Sequence, residues 1–366
     1  MKFTVSQLSL TEALVAPVRV ANAKATTQAV GGVLIQSYGD HSLVLSGTDG
    51  DTTVRVAVRA SVQEQGVALV PGRKLADVTR MLEGEEILFE SDGNRMRMSC
   101  GLFNGAMSVL PVGNFPSLGM PEGSELVVDS ADLIKAINQV VPACSTNEKR
   151  PALAGVRLIS TPDTLTLVAT DNSRIAIRSM PVQGGVETSH ILPRAALLEV
   201  LRVKSDKVTI IFTERGREVT FKTPGLLVTT RPVAGKFPNH EKIVPESTES
   251  SATVMREPFI NAVRRVSAMS EEHSPIRLSF GMDMMQMRLA SEDGQTHEIF
   301  PATIGGEPIE IAFNAQFLLD GLYGVDTRAV FIQANGPTRP ALISSDGDGL
   351  NYVLMPVRIA AKAVAA

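Results

Sequence analysis

Two aspartates are the first candidates for chemistry in this chain of 366 residues. Asp49 and Asp171 resemble the paired carboxylates of general acid–base catalysis, in which one group donates and the other accepts a proton. Each follows a threonine between two stretches of alternating apolar residues, where aspartate often stabilises a turn by bonding nearby backbone. No nucleophile or metal-binding set accompanies them. We therefore prefer the turn-stabilising interpretation, and a hydrolase is the least favoured function class.

Metal and cofactor chemistry finds little support in the remaining motifs. The five histidines are solitary, and the sequence has no phosphate-binding loop, dinucleotide fingerprint or nucleophile elbow. Residues 346–351 begin like a calcium loop, but Leu350 stands where an oxygen ligand is needed, so a plain turn is expected. Clustered methionines at residues 282–287 favour a core strand over a soft-metal site. We predict no cofactor, no metal and no enzymatic activity.

Composition bounds the cellular context. Cys100 and Cys144 are the only cysteines, too few for a disulfide framework, so two reduced and buried thiols are expected. No apolar signal region opens the chain, and no apolar run approaches the ~20 residues of a membrane span. These features predict a cytoplasmic protein without a membrane partner. The formal net charge of -4 does not by itself indicate a nucleic-acid partner.

Basic residues are concentrated in three segments with helical spacing. The nine residues are Arg73, Lys74, Arg80, Arg194, Arg202, Lys204, Arg256, Arg264 and Arg265. Positive helices in a chain that is acidic overall could line a surface that attracts phosphate without reading base sequence. Charged helix faces are usually just solvated, however, and on this observation alone that interpretation is favoured.

A pattern of strand, turn and strand positions the two aspartates. The copy at residues 165–182 places Ile175 and Ile177 on one face and Arg174 and Arg178 on the other. This alternation is typical of a half-buried antiparallel pair. Related copies occupy residues 43–58 and, in degraded form, 285–294.

The spacing of the copies sets the domain count. Asp171 follows Asp49 by 122 residues, and Glu292 follows Asp171 by 121, so the period is one third of the chain. A helix-like segment behind Pro71 recurs behind Pro193 with the same period.

Each third also opens with a strand and a helix-like segment. The third copy of the second helix begins at Asn314, a residue that caps helix N-termini. The sequence therefore predicts an α+β fold of three repeated domains, each with two helices and antiparallel sheets. The predicted boundaries are 1–120, 126–246 and 252–359, with a C-terminal tail at 360–366.

Three phrases of the sequence resemble the bacterial sliding clamp family, the β subunit of DNA polymerase III. Residues 168–175 are similar to the family's Val-Ala-Thr-Asp-Gly-His-Arg-Leu, residues 235–245 to its Gly-Arg-Phe-Pro-Asp-Tyr phrase, and residues 352–359 to its C-terminal phrase. The resemblance implies a ring-shaped head-to-tail homodimer, the DNA clamp fold, whose helices surround double-stranded DNA without sequence preference. Such a protein is a processivity factor and not an enzyme.

The resemblance gives the basic helices a purpose and adds an interface. Lys24 and Asn147 are implied to lie on the DNA side, where Arg73, Arg194 and Arg202, on or just beyond the helix-like segments, would join them. The first domain of one chain is implied to meet the third domain of its partner. The residues chosen for that interface are Lys74, Met107 and Met269.

The family also binds short apolar peptide segments of the replicative polymerase, the clamp loader and repair proteins, in a groove between the second and third domains. The implied apolar pocket consists of Leu153, Thr170, Ile175, Pro238, Ile243 and Met355. The residues implied around it are Arg150, Asp171, Asn172, Ser173, Arg174, Lys242, Pro340, Pro356, Val357 and Arg358.

Departures from the family pattern fall on this groove. Asn172 and Ser173 replace the usual glycine and histidine, and His240 replaces a tyrosine, which predicts a different preference for peptide flanks. The tail at 360–366 extends beyond the usual family end and could lie near the groove. A three-domain interaction scaffold that does not encircle DNA remains the alternative function.

Overall fold

The structure, a computed structural model, describes most of the chain. The described ranges are 1–21, 31–116, 119–147, 149–240, 243–245, 248–268, 274–281, 284–291, 294–347 and 349–358. Six α-helices and 26 strands lie within these ranges.

The elements follow nearly the same order in each third of the chain, except that the middle third has four described strands between its two helices where the other two have five. The first third contains β1 (Lys2–Ser6), α1 (Gln7–Ala21), β2 (Gly32–Tyr38), β3 (Ser42–Thr48), β4 (Thr52–Arg59), β5 (Ser61–Glu64), β6 (Val67–Pro71), α2 (Gly72–Met81), β7 (Glu86–Ser91), β8 (Arg95–Cys100) and β9 (Phe103–Ser108). The middle third contains β10 (Gly123–Asp129), α3 (Ser130–Val140), β11 (Gly155–Ser160), β12 (Thr164–Thr170), β13 (Arg174–Pro181), β14 (Thr188–Pro193), α4 (Arg194–Val200), β15 (Lys207–Thr213), β16 (Val219–Lys222) and β17 (Leu226–Thr230). The last third contains β18 (Ser250–Met255), α5 (Arg256–Ser267), β19 (Pro275–Gly281), β20 (Met284–Ser291), β21 (Gly294–Pro301), β22 (Thr303–Gly306), β23 (Ile309–Asn314), α6 (Ala315–Gly324), β24 (Ala329–Ala334), β25 (Ala341–Ser344) and β26 (Leu350–Leu354).

The prediction of an α+β fold with two helices in each third is confirmed. The helices begin where the sequence placed them: α2 directly after Pro71, α4 after Pro193 and α6 after Asn314. The side chain of Asn314 accepts a hydrogen bond from the backbone N–H of Phe317 at 3.1 Å, which satisfies one of the free donors of the first turn.

Contacts divide the chain into two compact units. The first unit is Met1–Ala131 with Ala195–Pro232, and the second is Asp132–Arg194 with Val233–Ala366. The first contains a five-stranded sheet, β5-β1-β7-β8-β9, and an eight-stranded sheet, β10-β15-β16-β17-β4-β3-β2-β6. The second contains a nine-stranded sheet, β14-β11-β12-β13-β26-β25-β24-β18-β22, and a four-stranded sheet, β21-β20-β19-β23.

The two larger sheets each join strands that are distant in sequence. In the first unit β17 pairs with β4, so that Val228 lies opposite Val54. In the second unit β13 pairs with β26, so that Ile175 lies opposite Val353. This second pairing brings the start of β13 next to the chain that follows β26.

Both aspartates of the repeat stabilise turns, as the sequence predicts. The Asp49 carboxylate accepts hydrogen bonds from the backbone N–H groups of Asp51 at 2.9 Å and Thr52 at 2.7 Å. The Asp171 carboxylate accepts the equivalent bonds from Ser173 at 2.9 Å and Arg174 at 3.1 Å. The corresponding turn of the third copy, at Glu292, lies outside the described residues.

The prediction that β12 and β13 are half-buried is wrong. Arg174 and Arg178, assigned to the open face, are buried, and Ala176 between them is completely buried. Alternation separates the two faces of a strand, but it does not say whether the second face is covered. Here Arg174 is covered by groups from α6 and β26.

The core of the first unit requires one glycine in particular. A Cβ atom on Gly47 of β3 would lie 2.0 Å from the carbonyl oxygen of Pro17 in α1. Only glycine therefore permits this helix to approach the strand so closely. Beneath it, Leu10 and Leu14 of α1 pack with strand residues such as Leu43 in one buried cluster.

No described helix is both long enough and apolar enough to cross a membrane.

Candidate functional site

The turn between β12 and β13 is the rigid part of the candidate site. In addition to the Asp171 bonds, the Thr170 hydroxyl donates to the Arg174 carbonyl at 2.7 Å and accepts from the Asn172 N–H at 3.1 Å. The Met355 N–H then donates to the Ser173 carbonyl at 2.9 Å. These bonds fasten the turn to the end of β26.

Asn172 occupies the tip of this turn in a conformation that few residues adopt. Its φ is 77°, the left-handed region, where asparagine is among the best-tolerated residues after glycine. It is the only described residue other than glycine with a positive φ. Its side chain is exposed, so this turn presents an amide where the family pattern has no side chain.

Arg174 anchors the turn to three other elements of the second unit. Its guanidinium bonds Asp171 at 2.9 Å, the carboxylate of Asp320 on α6, and the carbonyl of Pro142. The Tyr352 hydroxyl lies 3.3 Å from the same group. The guanidinium also stacks over the Phe317 ring at 4.1 Å from its centroid, a favourable cation–π distance.

The charge state of this cluster follows from its surroundings. Burial alone would lower the pKa of the Arg174 guanidinium, but its hydrogen bonds to Tyr352 and Asp320 and the negative charge of Asp320 outweigh burial and raise that pKa above its ordinary value. Burial raises the pKa of the Tyr352 phenol as well, so this hydroxyl stays neutral. The cluster therefore contains one permanent cation between two carboxylates.

A pocket of about 580 Å³ opens beside this turn. It is enclosed by the β12–β13 turn, the end of β26, the β24–β25 connection and the segment before β18. The described lining residues are Thr170, Asn172, Arg174, Ile175, Pro238, Ile243, Val244, Pro245, Asn335, Arg339, Pro340, Val353 and Met355.

The back of the pocket is continuous with a buried apolar cluster. Ile175 and Val353, paired across β13 and β26, belong to this cluster together with Phe237, and Ile243 and Val244 pack against it. Met355 differs because it is exposed at the mouth. The arrangement is a preformed apolar cavity with a flexible thioether at its entrance, suited to apolar side chains of a partner.

Most of the apolar residues chosen from sequence come together here. The pocket is lined by Thr170, Ile175, Pro238, Ile243 and Met355. Leu153, three residues after Arg150, is buried and is not part of the lining. Among the surrounding residues, Asn172, Arg174 and Pro340 line it. Arg150, Ser173, Val357 and Arg358 are exposed, Asp171 and Pro356 are half-buried, and none of these six contributes to the lining. Lys242 lies outside the described residues.

Five lining residues were not chosen from sequence: Val244, Pro245, Asn335, Arg339 and Val353. Three of them had a usable signal. Val244 and Pro245 directly follow Ile243, and Val353 lies two residues before Met355, at the spacing of side chains on one face of a strand. Asn335 and Arg339 lie in a connection between strands, where no periodicity indicates which residues face a cavity.

The residues chosen for the DNA side are distributed over both units. Arg73 and Arg194 are exposed at the starts of α2 and α4. Arg202 pairs with the buried Glu199 at 2.9 Å, and the carboxamide oxygen of Asn147 accepts the Lys149 N–H at 3.0 Å. Lys24 lies outside the described residues.

Arg202 and Lys204 lie beyond the end of α4 at Val200, and only some of the nine basic residues are free to contact phosphate. Arg202, Lys204, Arg256 and Arg265 each have a carboxylate partner. The other five residues are exposed, and none of them has an acidic partner within the described part of the chain. They are Arg73, Lys74, Arg80, Arg194 and Arg264.

The residues chosen for a dimer interface have different environments. Lys74 is exposed on α2, and Met107 is partly buried on β9, where it packs against the core of the first unit. Strand β9 is at the edge of its five-stranded sheet, and one of its sides has no strand partner among the described residues. Met269 lies outside the described residues, as does the tail at 360–366.

The described residues provide no site for metal or thiol chemistry. No group of three potential metal-ligating side chains occurs in the ranges that the structure covers. Cys100 and Cys144 are free and buried. Burial raises the pKa of the Cys144 thiol to about 12, so it is not a reactive nucleophile.

Comparison with known proteins defines the class. Three family models, described as the N-terminal, central and C-terminal domains of the DNA polymerase III beta subunit, match residues 1–119, 127–239 and 241–358. The chain is thus a three-part protein of the polymerase-clamp class. It belongs to the family of the DNA polymerase III beta subunit, the bacterial sliding clamp.

Individual relatives are similar over their whole length. The beta sliding clamp of Streptomyces coelicolor is 31% identical, covering 98% of this chain and 100% of the relative. The structure of the Bartonella birtlesii sliding clamp bound to griselimycin is 28% identical with a TM-score of 0.91, covering 98% and 100% of the two chains. The Caulobacter crescentus pol III beta structure is 28% identical with a TM-score of 0.89 and the same coverage.

Proposed function

We propose that this chain is a DNA sliding clamp that works as a homodimeric ring around double-stranded DNA. In this role it tethers the replicative polymerase, and its pocket beside the β12–β13 turn receives short apolar segments of polymerase, clamp loader and repair proteins. It catalyses no reaction and acts in the cytoplasm. The single observation that carries the proposal is the preformed pocket, because it lies where the clamp-like phrases around Thr170 and Met355 meet.

The pocket has the right size and chemistry for a weak, exchangeable contact. Its 580 Å³ can hold two apolar side chains against Ile175, Val353 and Ile243. Burying each such side chain gains roughly 1.5–3 kcal/mol. After the costs of association and of ordering the segment, an affinity on the order of micromolar is expected, so partners can exchange on one clamp.

Two sheet edges support a head-to-tail dimer. Strand β9 is the edge of the five-stranded sheet, and β21 is the edge of the four-stranded sheet. An unpaired edge can add a strand from another chain, so β9 of one chain can pair with the last third of its partner. Lys74, Met107 and Met269 are proposed to lie at or near this interface. Three domains with boundaries near 120, 246 and 359 are proposed; the N-terminal and C-terminal family matches end close to two of these, at 119 and 358, and the C-terminal match begins at 241.

A loose contact with DNA follows from the exposed cations. Arg73 and Arg194, without acidic partners in the described ranges, can contact phosphates, and Lys24, Asn147 and Arg202 are proposed to lie on the same side. Phosphate contacts carry no base information, which suits a protein that must move along any sequence.

Met355 offers the sharpest test of the pocket. Its side chain is 39% exposed at the mouth, so truncation should affect binding more than folding. We expect Met355→Ala to weaken binding of a labelled C-terminal peptide of the replicative polymerase roughly tenfold in fluorescence anisotropy. Met255, 41% exposed on β18 and outside the pocket, is the matched control, and Met255→Ala should bind like the wild type. Equal affinity of Met355→Ala and the control would overturn the assignment.

A further inference from the structure

Two arginines line the pocket, and their electrostatic environments are opposite. Arg174 is buried and already bonded to Asp171 and Asp320. Its charge is therefore compensated within the fold, and its donors are occupied by the carbonyl of Pro142 and the hydroxyl of Tyr352. Arg174 is a positioning residue for the turn, and little of its charge is available to a ligand.

The environment of Arg339 is the opposite of that of Arg174. It lies in the connection between β24 and β25, one residue before Pro340, which lines the same pocket. Its side chain is exposed, and it has no hydrogen bond or ion pair with any residue that the structure describes. A guanidinium without a partner at the edge of an apolar cavity is available to an anionic group of a ligand.

The rest of the pocket does not provide that partner. The described lining consists of apolar residues, prolines, two asparagines, a threonine and the two arginines, with no aspartate or glutamate among them. Arg174 is already paired with Asp171 and Asp320, so Arg339 is the one charged residue of the described lining that has no described partner. An anion placed there would face a guanidinium that can form two parallel hydrogen bonds to a carboxylate.

We propose that Arg339 forms an anion subsite of the pocket and selects partner segments that carry an aspartate or glutamate next to their apolar residues. This inference rests on the proposed function, because it names the chemistry of the segment that the pocket accepts. The apolar cavity holds the two hydrophobic side chains, while Arg339 sets which flanking residue is preferred. Asn172, which also lines the pocket, is a neutral amide and adds no charge to it.

The test uses the full-length protein and synthetic peptides whose only charge is the one examined. The peptides have six residues with a fixed Leu-Phe pair and are acetylated and amidated at their ends. Aspartate is placed at each remaining position in turn. Each aspartate peptide has a twin that is identical except that asparagine replaces the aspartate. A further asparagine peptide keeps a free C-terminal carboxylate. Affinities are measured by competition at low and high salt, with wild type, Arg339→Gln and the matched control Arg328→Gln. Arg328 is also exposed, has no described side-chain partner and does not line the pocket.

For the wild type we expect at least one aspartate peptide to bind about two- to fivefold more tightly than its twin, with the ratio falling at high salt. Arg339→Gln should bring that ratio to one without weakening the asparagine peptides, and Arg328→Gln should leave it unchanged. A ratio of one in the wild type, a ratio that survives in Arg339→Gln, or tighter binding by the free C-terminal carboxylate alone would overturn the subsite. Failure of every peptide to bind, with Met355→Ala making no difference, would instead refute the proposed function itself.

Discussion

Replacing Arg174 by methionine tests whether one buried cation holds the site together. Methionine keeps a long unbranched side chain but removes the charge and every donor. The change leaves the carboxylates of Asp171 and Asp320 without their cation, beside the neutral hydroxyl of Tyr352. The arginine side chain is only 8% exposed, and the two carboxylates are 16% and 18% exposed, so solvent can replace little of what is lost.

The magnitude follows from this geometry. Removing one member of a buried ion pair costs about 3–5 kcal/mol, because the remaining charge is left without compensation. For a protein unit of this size, a loss of about 3–5 kcal/mol in the free energy of unfolding lowers the melting temperature by about 10 °C. We expect Arg174→Met to reduce the free energy of unfolding by this amount in urea, followed by circular dichroism.

A double-mutant cycle with Asp320→Asn separates the ion pair from general packing. Since the two residues share one interaction, the double variant should lose at least about 1 kcal/mol less than the sum of the single losses. Arg150→Met, at an exposed arginine, serves as the control for the substitution itself. A loss below about 1 kcal/mol for Arg174→Met, or strictly additive losses, would refute the reasoning.

Three further outcomes follow from the fold. Gly47→Ala should destabilise the protein by about 1–3 kcal/mol in urea, because its Cβ would collide with the Pro17 carbonyl, and a wild-type midpoint would contradict that close approach. Asp49→Ala removes two backbone hydrogen bonds and should cost about 1–2 kcal/mol, whereas an unchanged midpoint would argue against the turn-stabilising role. Cys144, with a thiol pKa of about 12, should resist iodoacetamide at pH 8 until urea unfolds the chain, and mass spectrometry showing rapid modification of the native protein would disprove its burial.

The local structure was the part of the molecule that could be predicted best. Asp49 and Asp171 bond equivalent backbone N–H groups in their turns, which the short range of an aspartate side chain allows a sequence pattern to anticipate. Asn314 caps α6 for the same reason. In each case the partners are within three residues, so no knowledge of the tertiary fold was needed.

The burial of Arg174 and Arg178 could not be predicted in the same way. The groups that cover Arg174 are Asp320 and Tyr352, well over a hundred residues later in the chain. Alternation along β13 carries no information about such distant partners. The pattern shows two faces, and only the fold shows that both are buried.

The pocket likewise contains some residues that the sequence could predict and others that it could not. Residues within the clamp-like phrases, such as Thr170, Pro238 and Met355, were chosen through the family resemblance, and the structure brings them together. Arg339 belongs to a connection with no period and no such phrase, so only its position in the fold reveals it.

The central claim is that the protein holds DNA by encircling it, and topology tests this directly. The full-length protein, loaded by its cognate clamp loader onto nicked circular DNA, should stay bound through gel filtration and be lost after the circle is cut once. A closed ring can leave a linear molecule only by sliding off its end, so the loss should depend on the cut and not on salt. Equal retention on circular and linear DNA, or no loader-dependent retention on either, would contradict the clamp and favour an interaction scaffold that does not encircle DNA.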